Sequence, residues 1–107
     1  MGVIPKVEWW KHMSSCRSSG VLTSSQTVSG DRCKLISIHA TLTGQNPTTV
    51  KVWDNASAAS GKELARITLG QTENLEFDMH GVIATNGLYL DISSGTDEGA
   101  AVSVEFA

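Results

Sequence analysis

No run of lysine or arginine occurs anywhere in this chain, and a formal net charge of −3 leaves no surplus of positive charge. Nucleic acid is recognised by clustered basic faces, so no nucleic-acid partner is expected. Cysteine is nearly absent. Cys16 and Cys33 are too few for a disulfide scaffold and are not spaced as metal ligands. They read as two reduced thiols, with a bridge from the N-terminal arm to the body as the alternative. No apolar run approaches the roughly 20 residues of a membrane span. Met1–Trp10 lacks the basic head and apolar run of about 7–15 residues that mark a signal peptide. Lys6 stands where a myristoylation signal needs Ser or Thr. A soluble protein made in a cytoplasm is therefore expected. Helical stripes are missing too, which leaves the strand as the unit of structure.

What is present is alternation. A hydrophobic fraction of 40% with 18% charged residues belongs to an ordered body, and 107 residues are enough for one domain but not two. In Thr48–Asp54, Val50 and Val52 share one face, and Thr49, Lys51 and Trp53 the other. Asn55–Gly61 then has neither period and reads as a loop. Leu64–Leu69 alternates again, with Ala65, Ile67 and Leu69 inward and Arg66 and Thr68 outward. Cys33–Thr43 is the longest strand candidate, with Ile36, Ile38, Ala40 and Leu42 inward. Gly20–Val28 reads as one weakly apolar strand at an edge or facing solvent. Leu75, Phe77 and Met79 alternate with Glu76 and Asp78 until His80-Gly81 ends that strand. Val82–Ala84 and Leu88–Ile92 flank Asn86-Gly87, the strongest two-residue hairpin signal. Val102, Val104 and Phe106 form the inner face of the last strand.

These segments make seven or eight short strands with turn signals roughly every 8–12 residues, the pattern of an all-β, single antiparallel sandwich, jelly-roll-like, with an extended N-terminal arm. The domain reading is 1–19 for the arm and 20–107 for the sandwich. In the arm, Val3, Ile4, Val7, Trp9 and Trp10 are large apolar residues at a terminus, where chains are usually loosely held. Either the arm packs on its own sandwich or it packs on something else. Adjacent aromatics are what binding anchors are made of.

Chemistry is sparse. His12, His39 and His80 lie in different elements without metal-ligand spacing. Asp54-Asn55 and Asp97-Glu98 lack the alternating acidic ladder that Ca²⁺ requires and read as turn formers. No Gly-x-Ser-x-Gly elbow, phosphate loop or dinucleotide fingerprint is present. Glu76, Asp78 and Asp91 could share a sheet face, but so small a sandwich offers little groove for a glycosidase pair. No catalytic residue, metal or cofactor is expected.

The run Cys-Lys-Leu-Ile-Ser-Ile at Cys33–Ile38, Thr-Val-Lys-Val-Trp-Asp-Asn at Thr49–Asn55, Leu-Ala-Arg-Ile-Thr-Leu at Leu64–Leu69, Asn-Gly-Leu-Tyr-Leu-Asp-Ile at Asn86–Ile92 and Val-Ser-Val-Glu-Phe at Val102–Phe106 resembles the small β-sandwich structural proteins of tailed-bacteriophage virions. That resemblance implies a virion component made in the host bacterial cytoplasm: a capsid decoration or cement protein, or a tail or head–tail subunit. Edge strands that must be covered, together with the apolar arm, lead to the expectation of contact with copies of itself, a trimer being favoured, and with the major capsid protein. The arm lies outside the shared rhythm. A different class of reading is a carbohydrate-binding or host-adhesion module, with Trp53 and Tyr89 as sugar-stacking residues. It requires the two to lie together on one exposed surface and fails if either is buried between the sheets or at a subunit contact.

Overall fold

The computed structural model describes residues 16–70, 74–93, 95 and 97–107. Its strands are β1 (Arg17–Leu22), β2 (Gln26–Ser29), β3 (Cys33–Leu42), β4 (Thr48–Asp54), β5 (Lys62–Leu69), β6 (Asn74–Ala84), β7 (Leu88–Ile92) and β8 (Ala100–Phe106). They form two four-stranded antiparallel sheets in the orders β1-β8-β3-β6 and β2-β7-β4-β5. Among the described strands only β4 and β5 meet as a hairpin; each other connection between them crosses from one sheet to the other. That order is a jelly roll, the eight-stranded double-sheet solution to which two Greek keys lead. Among the described residues there is no helix, and so none long and apolar enough to cross a membrane.

Alternation places the core. β4, β7 and β8 bury every second residue, so Val50, Val52, Leu88, Leu90, Ile92, Val102, Val104 and Phe106 meet Leu35, Ile38, Ala40, Ile67 and Leu69 between the sheets. Each large aliphatic side chain removed from water there contributes roughly 1.5–3 kcal/mol.

Five local expectations are overturned. The ladder of β3 shifts register between Leu35 and Ser37, opposite Met79–Gly81 of β6. This bulge keeps Leu35 and Ile38 inward and turns Ile36 onto the outer face, where it lines a groove with Ser37 and His39. β6 does not end at His80-Gly81. Both residues take positive φ (55° and 79°), which absorbs the extra residues and lets the strand run on to Ala84. Gly20–Val28 is two strands in different sheets, because Ser25 Oγ accepts the Ile92 amide (2.9 Å) and holds the corner between them. β1 begins at Arg17, inside the stretch assigned to the arm.

The fifth concerns Asn86-Gly87. It turns the chain but does not join paired strands, since β6 and β7 belong to opposite sheets. The buried Asp54 carboxylate at the end of β4 accepts the Thr85 amide (3.1 Å) and the Asn86 amide (2.7 Å). The turn is thereby anchored to the far sheet. Gly87 lies so close to the Ser29 carbonyl that an added Cβ would stand 2.5 Å from it.

Candidate functional site

Two outer surfaces and one edge carry the side chains that could act on something else. The first surface belongs to the sheet β2-β7-β4-β5. Trp53 of β4 and Tyr89 of β7 are directly opposite each other in the ladder. Their neighbours Val52, Leu88 and Leu90 point into the core, so both aromatics stand on the outer face, each half-buried. Neither lies between the sheets. Thr27 flanks Tyr89 on one side, and Glu63 flanks Trp53 on the other. One step along the strands, Asp91, Lys51 and Arg66 form a parallel row.

β5 shifts register opposite Val52 and Trp53, so Glu63 and Arg66 come to the same face although three residues apart. Arg66 donates from Nε to Glu63 Oε2 and from its terminal nitrogen to Oε1, both at 3.0 Å. Those hydrogen bonds hold the Glu63 carboxyl below its ordinary range and the guanidinium above its own. The loop after β4 closes one end of this face. Asn55 Oδ1 accepts the amides of Ser57 and Ala58, each at 2.9 Å, and Asn55 Nδ2 donates to the Ser60 carbonyl at 3.2 Å. Thr27 Oγ1 donates to the Ala56 carbonyl at 2.9 Å, tying the loop back to β2.

The second surface, on the other sheet, is a groove lined by Ile36, Ser37, His39, Glu76, Asp78 and Glu105. His39 lies between Glu76 Oε2 (3.4 Å from Nδ1) and Glu105 Oε1 (3.7 Å from Nε2). The Ser37 hydroxyl donates to Glu105 and not to the imidazole, so no nucleophile–base pair is formed. Glu76 and Asp78 share this face, but Asp91 stands on the outer face of the opposite sheet, which corrects the expectation of one carboxylate face. Among the described residues no group of His, Cys, Asp and Glu could hold a metal ion.

The edge is the seam where β6 of one sheet meets β5 of the other. Phe77 pairs with the buried Ile38 and Val82 with Leu35, so both face inward, yet they remain 41% and 37% exposed. Ile83, outward beside them, is 48% exposed. Alternation marked Phe77 as core. It could not show that β6 is the last of the described strands in its sheet, with little of the facing layer to cover it.

The arm residues Val3, Ile4, Val7, Trp9 and Trp10 lie outside the described residues. No protein-family model, curated protein or solved structure matches the chain.

Proposed function

We propose that this chain is a structural subunit of a tailed-bacteriophage virion, a capsid decoration or cement protein that works by contact and not by catalysis. Its partners are further copies of itself, a trimer being favoured, and the major capsid protein, and it ends in the virion after synthesis in the host cytoplasm. The observation that carries the reading is the β6 seam. Phe77, Val82 and Ile83 stay in water on one edge of an otherwise well-filled sandwich. An edge strand is a pairing template that natural proteins blunt or cover. β6 is partly blunted by Glu76, Asp78 and the bulge at His80-Gly81, while its apolar side chains are left for a neighbour. The jelly roll is also an architecture of capsid proteins, a likeness of fold and no more.

Light scattering on the purified chain at several concentrations tests this. A trimer or larger closed assembly is expected, and Phe77→Ser is expected to lower its mass. A single-chain mass at every concentration, with no co-sedimentation with capsid shells, would overturn the proposal.

A further inference from the structure

The outer face of β2-β7-β4-β5 lies on the opposite layer from β6 and calls for its own explanation. We propose that it binds a neutral saccharide, stacked across Trp53 and Tyr89 and hydrogen-bonded by Lys51, Asp91 and the Glu63–Arg66 pair. The inference stands apart from the assembly reading and uses none of its residues.

Three features carry it. The first is the platform. Trp53 and Tyr89 are ladder partners on adjacent strands, and adjacent strands run about 4.8 Å apart. The two side chains therefore project side by side from one face, each with an apolar aromatic body. The apolar C–H face of a sugar ring matches such a surface.

The second is charge. Lys51 and Arg66 stand against Asp91 and Glu63, so the four charged groups on this face, Glu63 within the platform row and the other three beside it, sum to zero. A phosphate or nucleic-acid ligand needs surplus positive charge there, and a cationic ligand needs surplus negative. A sugar hydroxyl both donates and accepts. A face that offers carboxylates, an ammonium and a guanidinium in balance answers it without favouring an ion.

The third is rigidity. Asn55 holds the 55–60 loop internally, and Thr27 fixes it to β2 through Ala56. Arg66 is already locked on Glu63. Groups held before binding lose less conformational freedom on meeting a ligand.

The test is affinity electrophoresis of the full chain in native gels cast with dextran, galactomannan or hydroxyethyl cellulose, with polygalacturonate as the acidic comparison. Retardation is expected in at least one neutral gel and absent in the acidic one. Tyr89→Ala and Trp53→Ala should each weaken it at least tenfold. Trp53→Phe keeps an aromatic face and removes an indole N–H that finds no acceptor among the described residues, so it should retain binding. Tyr89 is half-exposed, so its variant remains informative if Trp53→Ala fails to fold. The proposal is overturned by migration unchanged in every neutral gel, by retardation in polygalacturonate, or by neutral retardation that survives Tyr89→Ala. It is also overturned if Tyr89→Ala lowers the mass seen by light scattering, since the face would then be a subunit contact.

Discussion

Asp54 shows how a residue can be legible in kind and hidden in purpose. The Asp54-Asn55 pair reads as a turn former from type alone, and Asn55 does organise its own loop. Asp54 instead reaches amides 31 and 32 residues away, which no local pattern can announce. Replacing it with Ala strands two amide donors at the end of the sandwich. Hydrogen bonds to charged groups are worth roughly 1.5–3 kcal/mol each, so Asp54→Ala should lose about 2–4 kcal/mol in urea unfolding. Asp54→Asn, with one acceptor oxygen left, should lose less. The two cysteines give a second prediction at this scale. Cys16 is exposed and Cys33 buried, so a thiol reagent should titrate one group in the native chain and two after unfolding. Burial, opposed in part by a hydrogen bond with Ser29, raises the Cys33 thiol above its ordinary value of 9.0. The folded chain then keeps a proton that the unfolded chain gives up, so this contribution to stability is intact below that value and falls as pH rises through the raised one. Compared with Cys33→Ala, the native chain should lose stability more steeply above pH 9.0.

Elements were legible wherever period two ran unbroken. β4, β7 and β8 alternate strictly, and their inner faces were readable residue by residue. β3 and β6 were misread at one place, because the two bulges face each other: an extra residue in one strand is compensated by several in the other. A bulge inverts the face of everything beyond it, so Ile36 and Leu35 exchanged roles, and only the pairing partner reveals this. The glycines at these irregular points separate two kinds of cost. An Ala Cβ at Gly81 would meet only the Ile36 and Lys34 side chains at 3.8 Å, so Gly81→Ala should lose roughly 1–2 kcal/mol from its φ of 79° alone. Gly87→Ala adds a collision with the Ser29 carbonyl to its φ of 136° and should lose about 3 kcal/mol or more. Equal losses in the two variants would show that the β6–β7 corner is looser than its contacts imply.

For the whole molecule, the sandwich was readable and its strand order was not, because order depends on which sheet each strand joins. Asn86-Gly87 carries a hairpin's chemistry yet serves as a corner between layers. The same limit hid the β6 seam: Phe77 is inward in both sequence and structure, and among the described strands β6 has no outer neighbour. The candidate saccharide face was readable as two outward aromatics, but their union across β4 and β7, and the charge row beside them, needed the register. Assembly tests all of this at once. The eight strands begin at Arg17, so a chain lacking Met1–Trp10 keeps every described strand and should fold with an unchanged near-ultraviolet signal from the sandwich. If the arm anchors neighbours, the shortened chain should show a lower mass by light scattering at the concentration where the full chain is oligomeric. Many weak contacts repeated over a shell multiply in effect, so the loss should be sharper on capsids than in free solution. Phe77→Ser in the same background separates the two contributions. If the arm and the seam serve one interface, the double change should weaken assembly by less than the sum of the single losses. Additive losses would mark two independent contacts. A shortened chain that assembles as the full one does would remove the arm from the interface and leave the β6 seam as the surface to pursue.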